Sequence, residues 1–492
     1  MSEIRTINFF NTKSLSKEKF VPIEPGKVKM YVCGPTVYNY LHIGNFRGAI
    51  VFNLLRNYLE HIGYDVTYAY NYTDVDDKII QKAKDENRSP NELTEFYIKE
   101  FEKDFSDLKL KKHDHNPKVT NFIPQIVKFI QDLIEQGKAY EVDGEVFYEI
   151  NKFEAYGLLS KKKLDDLEAG NRVEVDQRKR NPFDFVLWKP AKEGEISWDS
   201  PWSKGRPGWH IECSAMIQDL LGETIDIHGG GIDLIFPHHE NEIAQGEGRT
   251  NKPYCNYWLH NNFINVNDEK MSKSLGNFVT ARDFNTKYHP EILKYMFLSV
   301  HYRSVFSVNQ EKIIETIKAL DRVYHSIQTA KIIFDKFEAS EVEKASAQSS
   351  VTKKLSLSQT QIEKALADDL NSADMISKVF ETVRFFNGHF PKINKANVSH
   401  AADAQSYLSW IQQIGEMTAL FGEDPDKLMD RFDEILLREK QIDQSKVNEL
   451  IRQREQAREE KNWKLADDLR NKLDEIGIEI FDGEAKSFRV KR

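Results

Sequence analysis

The sequence predicts an α/β protein in which a doubly wound parallel sheet is interrupted by an insertion and followed by a helical region. Three observations predict this class. Strand and helix patterns alternate near the N-terminus, the alternation returns after residue 200, and the chain beyond residue 280 is almost wholly helical. Such alternation produces parallel strands, because each helix returns the chain to the end of the sheet at which the previous strand began.

One βαβ unit predicts the first half of the sheet. The β-rich run "KVKMYVCGPTVYN" is broken by Gly34 and Pro35, and "GNFRGAIVFNLLRNYLEHIG" then repeats apolar residues at helical spacing up to Gly63. The next strand is "YDVTYAYNYTD". This unit is typical of nucleotide-binding, Rossmann-like sheets, which bind ligands at the carboxyl ends of their strands.

An insertion and the second half of the sheet follow. The insertion is predicted from the helix in "NFIPQIVKFIQDLIEQGKAY" and the short strands "VFYEI" and "FVLWK". The sheet resumes with "GWHIECSAMIQDLLG", "TIDIHGGGIDLIF" and a helix that begins near His238. The two halves are therefore expected to form one sheet.

The remainder is predicted to be a helical bundle and a short tail. The bundle runs from "PEILKYMFLSV" to "YLSWIQQIGEMTALFG". Within it, "EASEVEKASAQSSVTKKLSLSQTQ" has few large apolar side chains, which predicts a mobile loop or a frayed, exposed helix extension. The tail has the pattern of two helices that are joined near Asn462 and Trp463 and end at Gly477.

Composition excludes several classes of protein. With 40% apolar and 30% charged residues among 492, the chain is neither disordered nor membranous, and it is long enough for about three domains. No apolar run approaches the ~20 residues that span a bilayer, and the N-terminus has no signal-peptide pattern, so we expect a cytoplasmic protein. A net charge of −9 argues against indiscriminate coating of nucleic acid but not against an RNA partner.

The stretch "DLIFPHHENEIAQ" indicates a metal site. On a helix, His238 lies one turn before Glu242, and His239 also reaches Glu242 at the shorter i+3 spacing, so the spacing leaves the choice of histidine open. Cys33 follows the first strand of the sheet and Cys213 lies early in a helix, both at the edge where ligands are expected. Two thiolates, an imidazole and a carboxylate suit tetrahedral zinc.

Simpler interpretations exist for the same residues. Three cysteines are too few for a disulfide framework in a chain of this length, but a buried free cysteine such as Cys33 is common in cores. An exposed acidic helix start explains Glu240 and Glu242 equally well, through the helix dipole.

Three other segments predict a nucleotide site. In "TVYNYLHIGNFRG", His42, Gly44 and Asn45 lie where a helix N-terminus offers N–H groups to phosphate. In "NDEKMSKSLGN", Lys270 and Lys273 are placed to neutralise charge on a pyrophosphate leaving group, unless this is only a solvated surface loop. The third segment is "HGGGIDL", in which glycines allow close approach of the backbone and an aspartate is available for ribose hydroxyls, although packing alone also explains such a turn. Its residues of interest are Gly230, Gly231 and Asp233.

Taken together, these segments resemble a known family. "HIGN" followed two hundred residues later by "KMSKS" resembles the signature pair of class I aminoacyl-tRNA synthetases. "MYVCGPTVYNYLHIGN", "NYTDVDDKII", "GWHIECSAM" and "HGGGIDLIFPHHENE" are similar to the cysteinyl-tRNA synthetase family, and the resemblance extends from about residue 6 to the tail. It implies a ligase that activates L-cysteine with ATP as cysteinyl-adenylate and transfers the cysteinyl group to tRNA(Cys). It further implies one zinc ion per chain, Mg²⁺ with ATP, and a monomer.

The resemblance also assigns roles to residues of this chain. Zinc is expected on Cys33, Cys213, His238 and Glu242, which leaves Cys255 outside the site. Substrate cysteine is expected on Cys33, Gly34, Thr73, Trp209 and His238. ATP is expected on His42, Gly44, Asn45, Gly230, Gly231, Asp233, Lys270 and Lys273, of which His42, Asn45 and Lys273 would be catalytic. Asn45 stands where the family commonly has histidine, and an amide can donate a hydrogen bond but carries no charge.

The tail resembles the anticodon-binding module of the family, with Trp463 and Arg470 as candidate tRNA contacts. Trp463 is expected to stack on a base, or alternatively to fill the junction between two helices. The two halves of the catalytic domain are expected at 1–120 and 201–260, with the connective insertion at 121–200 between them. They are followed by a stem-contact region with the second signature at 261–320, the bundle at 321–430 and the anticodon-binding module at 431–492.

Two rival functions share parts of this pattern. A relative that ligates cysteine to an amino sugar uses the same adenylation site but needs no anticodon-binding module, which this tail resembles. A non-catalytic RNA-binding descendant of a synthetase would not need intact signature and metal residues.

Overall fold

The first part of the chain forms a β-hairpin and the predicted βαβ unit. The structure, a computed structural model, describes residues 6–162, 176–270, 279–481 and 488–492. The first elements are β1 (Asn8–Asn11), β2 (Ser16–Lys19), β3 (Lys27–Val32), α1 (Ile43–His61), β4 (Asp65–Tyr70), α2 (Asp77–Asp85) and α3 (Pro90–Asp107). Strands β3 and β4 pair in parallel along their whole length. Both are rich in buried valine, methionine and tyrosine, as expected for strands covered on both faces.

The insertion and the second half of the sheet follow. The insertion contains α4 (Ile123–Glu135), β5 (Ala139–Val142), β6 (Glu145–Tyr148), β7 (Phe185–Pro190) and β8 (Gly205–Pro207), whose strands form an antiparallel sheet in that order. Strand β8 lies beyond residue 200, where the insertion was expected to end. The second half comprises α5 (Trp209–Leu220), β9 (Ile225–Gly231), α6 (Glu240–Thr250) and β10 (Cys255–Asn261).

The two halves form one parallel sheet with the strand order β10-β9-β3-β4. The chain therefore moves outward in opposite directions from β3 and β9, and doubly wound sheets bind ligands at such a reversal. Helix α1 packs directly on this point, because Gly229 of β9 lies against the ring of Phe52 and has no space for a β-carbon. The doubly wound sheet and its insertion are confirmed.

A small sheet, which was not predicted, and the predicted helical bundle follow. The elements are β11 (Ile264–Val266), β12 (Glu269–Lys270), α7 (Ala281–Lys287), α8 (Pro290–Leu298), β13 (Phe306–Val308), α9 (Gln310–Asp335), α10 (Ala339–Lys344), α11 (Ser349–Ala367), α12 (Ser372–His389), α13 (Val398–Thr418) and α14 (Pro425–Glu439). Strand β11 lies between β12 and β13. The polar segment 338–361 is neither a loop nor fully exposed, since it is helical in α10 and α11 and buries Val342 and Val351.

The tail has the predicted two helices, α15 (Gln444–Glu459) and α16 (Trp463–Glu475), followed by β14 (Ile478–Ile480) and β15 (Phe488–Val490). Gly477 ends α16 with a φ of 83°, a backbone conformation that favours glycine. Strand β15 returns to the bundle, where the Val490 N–H donates to Asp433 and the Arg492 guanidinium pairs with Asp321 and Asp433. None of the helices in the described part of the chain has both the length and the apolar composition that crossing a bilayer requires.

Candidate active site and metal centre

The predicted metal ligands meet at the reversal point of the sheet. Cys33 directly follows β3, and its N–H donates to the carbonyl of Gly229 on β9 over 3.2 Å. Cys213 lies in the second turn of α5, which leads into β9. His238 lies in the short π-helical turn Ile235–His239, so α6 begins at Glu240, two residues later than expected. Glu242 is in the first turn of α6.

The four donor atoms are close enough to share one ion. The Cys33 Sγ lies 3.8 Å from the Cys213 Sγ, 3.5 Å from the His238 Nε2 and 3.6 Å from the Glu242 Oε1. The His238 Nε2 lies 3.0 Å from the Glu242 Oε1. One donor atom of each residue falls within 4.8 Å of all the others. The set of two sulfurs, one imidazole and one carboxylate fits the chemistry of zinc.

Burial excludes the exposed acidic helix start. Glu240 and Glu242 are both fully buried. The Glu240 carboxylate accepts the backbone N–H groups of Gly157, Leu159 and Ser160, so it fastens the insertion to the start of α6. The two glutamates therefore have different roles, and only Glu242 faces the cysteines.

The electrostatics of the cluster are those of a cation site. The hydrogen bond from Cys33 lowers the pKa of Cys213 to about 6, although burial opposes this. Burial alone would raise the pKa of Glu242, but His228 and His238 hold it well below its usual range. Burial likewise opposes charge on His238, yet Glu242 and Cys213 raise its pKa to about 10. The direction of the His238 pKa shift shows that Glu242 and Cys213 concentrate negative charge at this point, which is the environment that a bound cation requires.

A second pair of histidines lies behind the cluster: His239, the alternative that the spacing left open, and His228, which was not predicted from the sequence. His228 and His239 are fully buried and, with Cys33 and Glu242, form an alternative four-donor set. The His228 Nε2 lies 2.8 Å from the Glu242 Oε2, and the His239 Nε2 lies 3.4 Å from the Cys33 Sγ. Burial, followed by the charge of His228, lowers the pKa of His239 well below its usual range. The i+4 histidine is nearer to Glu242 than the i+3 histidine, whose Nε2 is 4.0 Å from the Glu242 Oε1.

The predicted cysteine-binding residues surround the same edge. Trp209 is 39% exposed and stacks on the ring of His238 with centroids 4.3 Å apart. The Gly34 N–H donates to the Asn71 side chain over 2.8 Å, and a β-carbon on Gly34 would overlap the Asn71 carbonyl. Thr73 is buried, and its N–H donates to the Pro35 carbonyl. Gly34 and Thr73 therefore lie on the adjacent ends of β3 and β4.

His42 and Asn45 form the first turn of α1. His42 is the N-cap, and its N–H donates to the Asn45 Oδ1 over 3.1 Å. A β-carbon on Gly44 would lie 2.9 Å from the His42 Nδ1, so glycine keeps this turn close to the histidine ring. Asn45 thus stabilises the turn that carries His42, a role that needs no charge.

The remaining nucleotide residues are only partly described. Gly230 and Gly231 end β9, and exposed Asp233 follows in a short 3₁₀ turn. Lys270 ends β12. Lys273 and the rest of "MSKSLGNF" lie outside the described residues.

Comparison with known proteins decides the family. The sequence profile of the class I (C) tRNA synthetase catalytic domain matches residues 19–318, and that of the cysteinyl-tRNA ligase anticodon binding domain matches residues 444–486. The cysteine–tRNA ligase of Bdellovibrio bacteriovorus is 48% identical over 482 residues, which cover 98% of this chain and 99% of the relative. The chain belongs to the cysteinyl-tRNA synthetase family. The cysteine–tRNA ligase of Clostridioides difficile is 45% identical, over 96% of this chain and 97% of that protein.

Solved structures agree on the fold of this family member. A methionyl-tRNA synthetase of Mycobacterium tuberculosis superposes with a TM-score of 0.58 at 12% identity, covering 82% of this chain and 93% of that one. A putative arginyl-tRNA synthetase of Campylobacter jejuni gives 0.55 at 13% identity, over 82% and 95%. At such low identity the likeness concerns the architecture alone.

The anticodon-binding domain of the family presents both predicted tRNA contacts to solvent. Trp463, the first residue of α16, is 60% exposed. The interpretation of Trp463 as a buried plug between two helices is therefore wrong. Arg470 is exposed on the same helix. The junction is instead stabilised by Asn462, whose side chain accepts the Leu465 N–H.

Proposed function

We propose that this chain is a cysteine–tRNA ligase that converts L-cysteine and ATP to cysteinyl-adenylate and transfers the cysteinyl group to the terminal ribose of tRNA(Cys). The observation that carries the proposal is the convergence of two thiols, an imidazole and a carboxylate at the reversal point of a synthetase sheet. The match of the tail to an anticodon-binding domain favours transfer to tRNA over ligation to an amino sugar.

We propose that Cys33, Cys213, His238 and Glu242 hold one zinc ion, which when bound supplies a soft Lewis acid for the substrate thiol. Serine is nearly isosteric with cysteine, and pocket shape separates such pairs by only about 10²-fold. A hydroxyl is harder and much less acidic than a thiol, so a sulfur-selective site supplies the missing discrimination. Trp209, stacked on His238, borders the side of the site on which we propose that cysteine binds.

The adenylation step requires positioning and charge neutralisation but no protein nucleophile. A carboxylate oxygen of cysteine attacks the α-phosphorus of ATP, which forms the bond of cysteinyl-adenylate while the bond from the α-phosphorus to pyrophosphate breaks. Mg²⁺ bound with ATP would supply positive charge for the phosphates. We propose that His42 and Gly44 contact the triphosphate, that Asn45 holds their turn, and that Lys270 and Lys273 approach the phosphates from the opposite side. Gly230 and Gly231 would allow the nucleotide close to the backbone, and Asp233 would accept its ribose hydroxyls.

The function is tested by two assays on one preparation. Cysteine-dependent exchange of pyrophosphate into ATP should occur without tRNA, and cysteine should be attached to tRNA(Cys) when tRNA is added. Exchange without attachment would favour the amino-sugar ligase. A preparation with neither reaction would contradict the proposal.

Replacement of Trp463 by alanine should reduce tRNA charging by about tenfold and leave pyrophosphate exchange unchanged. The loss of one base-stacking contact is worth about 1–3 kcal/mol. Arg470→Ala should act in the same direction and also weaken the salt dependence of binding, because it removes one phosphate-neutralising charge. The measurements are kcat/KM for tRNA charging, and exchange without tRNA.

A matched control is Leu357→Ala, which truncates another exposed apolar side chain, on helix α11 of the bundle. It should leave both reactions unchanged. Point variants are preferable to removal of the tail, because Val490 and Arg492 are bound to the bundle and deletion would expose its core. Equal charging by wild type and both α16 variants would contradict the assigned contacts.

A further inference from the structure

Arg47 is a fully buried cation on α1, two residues after Asn45. Its Nη1 donates to the carbonyls of Asn262 and Phe263 over 3.0 and 2.6 Å. Its Nη2 donates to those of His301 and Ser304 over 3.3 and 2.6 Å. No carboxylate pairs with it among the residues that the structure describes. Burial lowers the pKa of Arg47 to about 10, so the side chain is still charged at neutral pH.

The four carbonyls belong to two segments of the chain that both lead to the small sheet. Residues 262–263 connect β10 to β11, and the hairpin of β11 and β12 continues to Lys270. Residues 301–304 precede β13, which pairs with β11 through Ile264 and Phe306. A planar guanidinium has donors on two terminal nitrogens and can hold both segments at once, whereas an ammonium group is a single point. Arg47 therefore fixes the base of this sheet against α1.

The chain downstream of the second signature is also fastened to the start of α1. The Ile43 N–H donates to the Val279 carbonyl over 3.1 Å, and the Ala281 N–H donates to the Leu41 carbonyl over 2.9 Å. Described residues on both sides of the lysine-bearing segment are thus held against the turn that contains His42. The downstream side is held by backbone hydrogen bonds, and the upstream side is held by the Arg47 side chain.

We propose that Arg47 is a positioning residue for adenylate formation. It fixes residues 262–264 and the β11–β12 hairpin relative to His42. The inference rests on the proposed function, since the reaction needs groups from both signatures around one triphosphate. Arg47 itself is enclosed by backbone and does not contact substrate. Its contribution is to the placement of other groups, which affects adenylate formation and not the metal site.

The test is Arg47→Lys, with Arg56→Lys as the matched control. Arg56 lies on the same helix and is also buried, but it pairs with Asp114 and the Lys112 carbonyl, away from the signatures. Arg47→Lys should lower the rate of adenylate formation about tenfold and raise the KM for ATP, because lysine cannot hold both segments. Zinc content and the KM for cysteine should stay within about twofold of wild type, as a change of that size is only ~0.4 kcal/mol. Arg56→Lys should lower the melting temperature without changing the KM for ATP.

A second variant covers the case in which Arg47→Lys does not fold. Ile264→Ala weakens a second contact between β11 and the start of α1, because the Ile264 Cγ1 lies 3.1 Å from the position of a β-carbon on Gly44. It should raise the KM for ATP in the same direction. Unchanged ATP kinetics in a folded variant, or a parallel loss of zinc and cysteine binding, would overturn the inference. Failure of the proposed function would appear differently, as absence of cysteine-dependent exchange in the wild type.

Discussion

Replacement of Cys213 by serine should remove the metal and lower cysteine activation by at least ~10³-fold, a loss of about 4 kcal/mol. The hydrogen bond from Cys33 lowers the pKa of Cys213 to about 6, so the cluster favours a thiolate, the form that binds a cation. A serine hydroxyl is not ionised in this range and is a poor ligand for zinc. Metal content per chain and cysteine-dependent pyrophosphate exchange measure the two effects.

Cys255→Ser is the matched control for this substitution. Cys255 is as deeply buried as Cys213, at 2% exposure, but its Sγ faces the carbonyls of Asp226 on β9 and of Tyr257 on its own strand. Both variants place a hydroxyl in a buried thiol site, so both should have a similar, modest cost in stability. Only Cys213→Ser should lose metal. If Cys213→Ser retains a full complement of zinc and activates cysteine normally, the four-ligand site is wrong.

The wild type should activate cysteine in preference to serine only while it holds its metal. Because Trp209 and the pocket walls distinguish hydroxyl from thiol weakly, discrimination is expected to follow metal content. Protein stripped of zinc by a chelator should lose cysteine activation and recover it when zinc is added. Serine activation should stay near background throughout. Rapid serine activation by the zinc-loaded protein would contradict the assigned role.

Local sequence patterns predicted most of the sheet, because strands that are buried on both faces are recognisable as short apolar runs. The run before Cys33 and the helix after Asn45 are long, strongly patterned and bounded by glycine or proline, and both were predicted within a few residues. The proximity of His238 to Glu242 was expected from helical spacing, but the choice between two adjacent histidines was not. The His238 Nε2 is nearer to the Glu242 Oε1, at 3.0 against 4.0 Å, whereas the two histidines lie at 3.5 and 3.4 Å from the Cys33 Sγ. The choice of His238 as the zinc ligand is therefore a proposal.

The features that could not be predicted from the sequence depend on contacts between segments that are distant in the chain. His228 occupies an ordinary position in a strand, and Arg47 occupies one in a helix. Nothing in the neighbouring residues indicates that His228 contacts Glu242 or that Arg47 donates to four carbonyls. For the polar segment 338–361, the helical alternative is nearer to the structure than the loop, since most of the segment is helical and exposed. Its apolar residues are few, but Val342 and Val351 bury completely once the bundle provides a surface for them. Average composition did not show these two contacts.

Replacement of Lys273 by alanine should lower the rate of adenylate formation by about 10²–10³-fold, as does the loss of one well-placed group that stabilises developing charge. Negative charge accumulates on the pyrophosphate only as its bond to the α-phosphorus breaks. A lysine that faces this group therefore contributes more in the transition state than in bound ATP. The KM for ATP should change by only a few fold, and pre-steady-state formation of cysteinyl-adenylate measures the rate directly.

Two further substitutions separate this role from simple attraction of ATP. Lys273→Arg keeps the charge but changes its shape and reach, so it should restore part of the rate. Lys270→Ala removes a similar charge from the same segment and should weaken ATP binding more than turnover, if that lysine contacts ATP already in the ground state. Equal losses of affinity and turnover in Lys273→Ala would mean that its charge acts on bound ATP and transition state alike. In that case, the groups that stabilise the leaving pyrophosphate must lie on the α1 side, at His42 and its turn.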